Sequence, residues 1–223
     1  MILSLQGCMA VGKTTAVSYL KKHAPYVNIS YEENASVIRQ IKSRGLDKNE
    51  YGDYLEIQKL WIENEVLRFQ KASPFPCTVM DFGAEEIEFY TLNYPKTIGK
   101  SWDVNHALQD ELARLRACMP ARILFLDASE ETLRKRKEGD LTRSREFFEH
   151  HLTHFLPLKK AWFSEKENTD YLSVEHLTPQ KVGAYVKKWV DSCIENHTHV
   201  PSLCTPASHL TPPTPSQSAH YPF

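Results

Sequence analysis

Short apolar runs alternate with longer amphipathic segments along most of the chain. The apolar runs predict five strands, at residues 2–6, 26–30, 76–81, 122–127 and 170–174. The segments between them repeat apolar positions every three or four residues and predict helices at residues 13–23, 33–44, 50–71, 84–93, 104–118, 129–138, 144–165 and 178–195. This alternation predicts an α/β fold in which a five-stranded parallel sheet carries helices on both faces.

The composition changes abruptly after Glu195. Residues 196–223 contain no Asp, Glu, Lys or Arg, and they hold six of the thirteen prolines. Such a segment cannot bury enough apolar surface to offset the entropy lost on ordering. The sequence therefore predicts one domain over residues 1–195 and a disordered tail, rich in Pro, Ser, Thr and His, over residues 196–223.

The loop after the first predicted strand carries the strongest chemical signal. It reads Gly7-Cys8-Met9-Ala10-Val11-Gly12-Lys13-Thr14 and fits G-x-x-x-x-G-K-[ST] at every fixed position. Between a strand and a helix, these glycines let backbone N–H groups turn toward a polyphosphate, and the helix N-terminus adds its unpaired N–H groups. We predict that ATP binds along residues Gly7 to Thr15, with Lys13 on the β- and γ-phosphates and Thr14 on Mg²⁺. Because Cys8 lies near that helix N-terminus, its thiol pKa is predicted to be lowered.

Several motifs of other phosphate-loop proteins are missing from the chain. There is no N-K-x-D motif to read guanine, and neither Asp81 nor Asp127 is followed by the Glu that motor-type ATPases commonly use to activate water. Both aspartates end predicted strands, and ligands of parallel sheets bind beyond those ends. We predict that Asp81 supports Mg²⁺ through water, and we expect transfer of a phosphoryl group to a small acceptor rather than hydrolysis coupled to motion.

A basic run follows the fourth strand and its helix. It reads Arg134-Lys135-Arg136-Lys137, and Arg143 and Arg145 come shortly after it. Several cations on a closable loop can neutralise the charge that develops on a transferring phosphoryl group. We predict an Arg-rich lid in which Arg134, Arg136, Arg143 and Arg145 close over that group; the alternative is a solvated basic helix face.

The acceptor side of the site is predicted between strands two and three. Glu32 and Glu33 lie just past the end of strand two, where a carboxylate can take the proton of an acceptor hydroxyl, and Glu33 is the first choice. On the long helix that follows, Tyr54, Gln58 and Trp61 are three or four residues apart and share a face that can stack on and hydrogen-bond a ring. For the two aromatic side chains, the alternative is a place in the core.

The order of these parts resembles that of the deoxynucleoside kinase and nucleoside monophosphate kinase superfamily of P-loop proteins. The resemblance spans residues 1–195 and implies a three-layer P-loop NTPase fold, a Glu after strand two as the base, a Gln on the next helix that reads the nucleobase, and an Arg-rich lid. Besides the glycine loop and the basic run, the stretches that carry it are Tyr31-Glu32-Glu33, Tyr54-Leu55-Glu56-Ile57-Gln58, Phe147-Phe148-Glu149-His150-His151-Leu152 and Ala161-Trp162-Phe163.

The chain departs from that superfamily after strand three. An acidic residue and an Arg usually stand together there, and the Arg helps to hold the acceptor; this chain has Asp81-Phe82-Gly83-Ala84-Glu85-Glu86. The two glutamates are expected to repel a phosphate-bearing acceptor. We therefore expect a neutral hydroxyl acceptor, such as a (deoxy)nucleoside; a sugar or an antibiotic would suit the same scaffold. A nucleotide-binding regulatory ATPase and a nucleoside monophosphate kinase are the alternatives.

Charge and cysteine usage suggest where such a protein works. The net charge is −1, so no global basic field favours a nucleic-acid or membrane partner. No apolar run has the length of a membrane span, and the first residues show no secretion signal. Five scattered cysteines are typical of reduced thiols in a cytoplasmic protein. Whether the protein forms a homodimer is left open.

Overall fold

The computed structural model describes residues 1–138 and 145–198. Its strands form one parallel five-stranded sheet in the order β2-β3-β1-β4-β5, which confirms the predicted α/β class. The predicted strands are reproduced with small shifts at their ends. The strands are β1 Ile2–Gly7, β2 Asn28–Ser30, β3 Thr78–Asp81, β4 Arg122–Asp127 and β5 Thr169–Ser173.

The helices also follow the predicted segments, and two of those segments divide. In the described residues they are α1 Lys13–His23, α2 Ala35–Arg44, α3 Tyr51–Ala72, α4 Ala84–Thr97, α5 Val104–Ala107, α6 Gln109–Arg116, α7 Glu130–Glu138, α8 Arg145–His150, α9 Leu156–Ser164 and α10 Pro179–Thr198. The last helix continues beyond the predicted domain end at residue 195. The rest of the predicted tail, from residue 199 onward, lies outside the described residues.

A π-helical turn, His151–Phe155, interrupts the predicted helix 144–165 between α8 and α9. Pro157 follows closely, and because proline has no N–H it cannot donate to the carbonyl four residues earlier. Just before this proline, the N–H of Leu156 donates to the carbonyl of His151, five residues back, rather than to the carbonyl four residues back. The turn places His151 at the wall of the site described below.

Alternate residues of the central strand β1 face different environments. Leu3 and Leu5 pack into an apolar core with α1 and α10, whereas Ser4 and Gln6, which are also fully buried, hydrogen-bond to Glu85 of α4. The central strand therefore has one apolar face and one that carries polar groups beneath α4. Among the described helices, none combines the length and the apolar character needed to cross a bilayer.

Helices α1 and α10 pack so closely that a methyl group fits badly between them. A Cβ on Gly183 would lie 2.3 Å from Cγ of Tyr19. We expect Gly183→Ala to lower the free energy of unfolding by about 1–3 kcal/mol, because the added carbon forces the helices apart. A Cβ on Gly52, in α3, meets nothing within 4 Å. Gly52→Ala should therefore raise the same quantity by up to about 1 kcal/mol. Urea unfolding curves measure the free energy of unfolding of both variants. Equal changes in the two variants would contradict the close packing of α1 and α10.

Candidate active site

The glycine loop between β1 and α1 adopts backbone conformations that other residues rarely reach. Gly7 has φ +133° and Gly12 has φ +111°, and a Cβ on Gly7 would lie 2.4 Å from the carbonyl oxygen of Leu126. The first turn of α1 begins at Lys13, so its N–H groups have no partner within the helix. A loop of this shape followed by a helix N-terminus has the geometry with which proteins commonly bind phosphate groups.

The loop lines a cavity of about 840 Å³ at the carboxyl ends of β1 and β3. All residues predicted to bind ATP, from Gly7 to Thr15, belong to its wall. The opposite walls carry polar and aromatic side chains from several elements, namely Glu32, Trp61, Asp81, Glu86, Tyr90, Lys137, His151 and Lys159. The cavity therefore brings together a phosphate cradle, carboxylates and lysines.

Lys13 lies against the loop from which it projects. Its Nζ donates to the carbonyl oxygens of Gly7, at 3.0 Å, and Cys8, at 3.2 Å. Burial lowers the pKa of Lys13, and the charge of Lys159 lowers it further, while Asp81 opposes both effects. A phosphate oxygen in the cavity would give this ammonium group an anionic partner in place of neutral carbonyls.

Asp81 and Thr14 offer oxygen ligands of the kind that Mg²⁺ prefers. Both line the cavity, and Oδ1 of Asp81 is buried without a hydrogen-bond partner in the described part of the chain. Mg²⁺ is commonly held by one or two protein oxygens together with substrate phosphates and water. The same part of the chain holds no group of three or more His, Cys, Asp or Glu side chains arranged for a metal ion. These two residues fit a magnesium ion that is shared with a nucleotide.

The two candidate bases after strand two face different surroundings. Glu32 lines the cavity. The side chain of Glu33 is 71% exposed and lies 3.5 Å from Nζ of Lys71 on the protein surface. Glu32, the second choice from the sequence, is also exposed, but it lines the cavity of the phosphate loop, whereas Glu33 does not.

A second cavity of about 490 Å³ adjoins the first and shares Trp61, Tyr90 and Phe147 with it. Gln58 lines this second cavity, and its Oε1 accepts a hydrogen bond from the hydroxyl of Thr91 at 2.8 Å. A ring placed here would meet aromatic side chains and one amide that can still form hydrogen bonds.

Tyr54 forms a wall of the second cavity and has little polar capacity left. Its side chain is 1% exposed, and its hydroxyl donates to the carbonyl oxygens of Tyr90 and Thr91 at 3.2 and 3.0 Å. Its ring stacks on Tyr94 with 5.5 Å between centroids. Tyr54 therefore shapes the cavity through its ring, whereas Trp61 belongs to the walls of both cavities.

The predicted lid arginines do not line the cavity where they can be described. Arg134 forms ion pairs with Glu130 at 3.1 Å and with Glu149 at 3.2 Å, and its side chain is 42% exposed. Arg136 donates to the carbonyl of Val11 at 3.1 Å and so braces the phosphate loop from outside. Arg143 lies outside the described residues, as does the side chain of Arg145. From the same basic run, Lys137 is the residue that reaches the cavity wall.

The two glutamates after β3 do not act as the sequence suggested. One carboxylate oxygen of Glu85 accepts hydrogen bonds from Ser4, from Gln6 at 2.7 Å and from the N–H of Gly83 at 2.9 Å. Glu86 pairs with Nζ of Lys159 at 2.6 Å. Because Glu85 is held beneath the turn and Glu86 has a cation beside it, the expected repulsion of a phosphate-bearing acceptor is much reduced.

An arginine does reach the turn after β3, although it comes from α3. Arg68 donates to the carbonyl of Phe82 at 2.5 Å, and its guanidinium lies 5.5 Å from the centre of that ring. Glu65 holds it through two hydrogen bonds of 2.9 and 3.0 Å. Phe82 has φ +50°, a left-handed conformation that is uncommon for an aromatic residue. Arg68 thus stabilises the turn that carries Asp81.

We expect Arg68→Met to lower the free energy of unfolding by about 3–5 kcal/mol, because it leaves the carboxylate of Glu65 buried without its partner. Arg114→Met is the matched control, since Arg114 pairs with Glu63 at the surface, where both side chains are about half exposed. That change should cost less than about 1 kcal/mol. Denaturant unfolding measures both, and similar losses would contradict the structural role of the buried pair.

Cys8 has its thiol pKa raised rather than lowered. The residue is 2% exposed, and burial raises its pKa more strongly than the nearby charge of Lys13 lowers it. Its Sγ lies 3.9 Å from Nδ1 of His151. The predicted lowering of this pKa is therefore wrong, because burial of the thiol outweighs the charge of Lys13.

Three solved structures show which fold this arrangement belongs to. Deoxyadenosine kinase from M. mycoides, solved with its products dCMP and a flexible dCDP, matches with a TM-score of 0.66 and 14% identity over 86% of this chain and 100% of that chain. The same enzyme with bound dATP gives 0.64 at 14% identity, with the same coverage of both chains. Thymidylate kinase from Candida albicans gives 0.61 at 14% identity, over 88% of this chain and 92% of that one.

The chain has the fold of these P-loop kinases. The predicted resemblance to this superfamily is thereby confirmed at the level of fold. No family model and no curated protein sequence matches the chain. The fold alone does not give the reaction of this protein. The residues of its own site have to supply that argument.

Proposed function

We propose that this protein is an ATP-dependent kinase that transfers the γ-phosphoryl group to a hydroxyl group of a small molecule, and that the acceptor is a (deoxy)nucleoside or a compound of similar shape. The observation that carries the proposal is the pair of adjoining cavities. One is lined by the phosphate loop, and the other by Gln58 and aromatic side chains, with Trp61 in both walls. The kinase fold of the structural neighbours supports the same reaction class.

The residues divide the reaction among themselves. The loop binds the triphosphate, and Lys13 donates to the β- and γ-phosphate oxygens. Glu32 accepts the proton of the acceptor hydroxyl, the hydroxyl oxygen forms a bond to the γ-phosphorus, and the bond to the bridging oxygen of ADP breaks. Thr14 and Asp81 would hold Mg²⁺, which would supply positive charge to neutralise the phosphates. The ring of the acceptor lies near Gln58 and is confined by Tyr54 and Trp61.

A nucleoside monophosphate is the second candidate acceptor, because Lys159 offsets the charge of Glu86 in the cavity wall. Such an acceptor carries its own negative charge, which the two unpaired glutamates expected from the sequence would have repelled. A regulatory ATPase remains the alternative from a different class, and it would hydrolyse ATP slowly without any acceptor.

Coupled ADP release with Mg-ATP tests the proposal. The panel contains (deoxy)nucleosides, nucleoside monophosphates, sugars and aminoglycosides, and Lys13→Ala provides the blank. We expect strong stimulation by (deoxy)nucleosides. Stimulation by monophosphates alone would assign the second candidate, and a slow rate that no acceptor changes would favour the regulatory ATPase.

A further inference from the structure

One buried lysine in the cavity wall has no part in the mechanism above. Lys159 of α9 is 2% exposed, and its Nζ lies 2.6 Å from Oε1 of Glu86 and 5.7 Å from the centre of the Phe89 ring. Desolvating such a pair costs several kcal/mol, and well-packed apolar residues would often serve stability as well or better. An ion pair in the wall of a phosphate-loop cavity therefore calls for a reason other than stability.

Lys159 and Lys13 belong to the wall of the same cavity but come from different elements. Lys13 rises from the phosphate loop, whereas Lys159 comes from α9, after the π-helical turn. The positive charge of Lys159 acts on the phosphate loop, because it lowers the pKa of both Lys13 and Cys8. Two cations in one partly enclosed space repel each other unless an anion lies between them. Asp81 and Glu86 offset part of this repulsion, and an anion that enters the cavity near both lysines would offset more of it.

We propose that Lys159 is a second phosphoryl-binding cation, which contacts the γ-phosphoryl group together with Lys13 and supplies the positive charge that is absent directly after β3. This assignment rests on the proposed kinase function. The Nζ of Lys159 donates to a γ-phosphate oxygen, and Glu86 fixes the ammonium group in position before the nucleotide arrives. No bond to Lys159 is made or broken, so its contribution is electrostatic and grows as charge shifts during transfer.

Nucleotide binding tests this contact without any knowledge of the acceptor. The probes are Mg-ADP and a non-hydrolysable ATP analogue with an imido bridge, with affinities measured by calorimetry. We expect Lys159→Met to weaken the analogue about tenfold, because one charge-assisted hydrogen bond to the γ-phosphate is lost, and to leave ADP affinity within about twofold. Equal weakening of both nucleotides would overturn the assignment, because it would show an effect on the site as a whole.

The matched control is Lys160→Met, because Lys160 is the next residue of α9 and pairs with Asp127 at 2.8 Å while 43% exposed. It should change neither affinity. Lys159→Arg keeps the charge and should retain part of the preference for the analogue. These comparisons separate the position of the cation from a general loss of positive charge.

A double variant protects the test against a folding failure. Lys159→Met leaves Glu86 as an unpaired buried charge, whereas Lys159→Met/Glu86→Gln removes both charges together. With the acceptor that stimulates the wild type, we expect kcat to fall about a hundredfold in both variants while the acceptor KM changes little. Recovery of wild-type kcat in the double variant would overturn the proposal, because Lys159 would then serve only to neutralise Glu86. A wild type that no acceptor stimulates would contradict the kinase function instead, and the nucleotide comparison would still decide the role of Lys159.

Discussion

Lys13→Ala is expected to reduce acceptor-dependent ADP release by about a thousandfold, the upper end of what one preorganised charge contributes to a transition state. The residue is suited to this role because its Nζ lies on the carbonyls of Gly7 and Cys8, at the floor of the cavity where the γ-phosphate is proposed to bind. The change removes an ammonium group from the wall that already holds Asp81 and Glu86, so the cavity also becomes more negative. Both effects oppose the development of charge on the transferring phosphoryl group.

The control for this prediction is Lys21→Ala, which removes an exposed lysine from the last turn of the same helix. It should keep wild-type turnover and melting temperature. Steady-state ADP release at saturating acceptor gives the comparison, with circular dichroism to show that each variant is folded. A Lys13→Ala enzyme that turns over at the wild-type rate would contradict the assignment of the phosphate loop as the catalytic site.

The fold was accessible from the sequence because each strand of this sheet is a short, separate apolar run. Leu3 and Leu5 face one side of β1, while Ser4 and Gln6 face the other and are equally buried, so β1 reads as one continuous buried segment. The order of the strands was not accessible, because it depends on which runs pair across the sheet. The division of the predicted helix 144–165 was missed, although Pro157 was a visible signal that hydrogen bonding must change there.

The sequence could predict the site residues that lie in one continuous motif or at strand ends. It could not predict contacts between residues that are distant in sequence. Residues Gly7 to Thr15 and Asp81 all line one cavity, as expected from a loop and strand ends that meet at one edge of a parallel sheet. The pair between Glu86 and Lys159 joins residues 73 positions apart, and no local pattern announces it. The sequence shows no arginine directly after β3. Only the packing of α3 shows that Arg68, from another element, reaches this turn.

The choice between Glu32 and Glu33 illustrates the same limit at its smallest scale. Neighbouring residues in an extended or irregular segment point in different directions, and the sequence does not tell which of them faces the sheet edge. The structure has Glu32 in the cavity wall and Glu33 71% exposed beside Lys71. The sequence offered no basis for preferring Glu33, because the two glutamates are adjacent and chemically identical. The kinetics of two single variants can decide which of them is the base.

Glu32→Gln is expected to lower kcat by at least about a hundredfold, because an amide cannot take the proton of the acceptor hydroxyl as a carboxylate does. The amide keeps the size of the side chain and one acceptor oxygen, so the acceptor KM should change much less than kcat. Glu33→Gln removes only an exposed contact with Lys71 and should leave kcat within about twofold, since surface pairs contribute little. Measurement of kcat and KM for both variants with the stimulating acceptor makes the comparison. A large loss of kcat in Glu33→Gln, with Glu32→Gln near the wild type, would reverse the assignment and require the segment after β2 to turn when the acceptor binds.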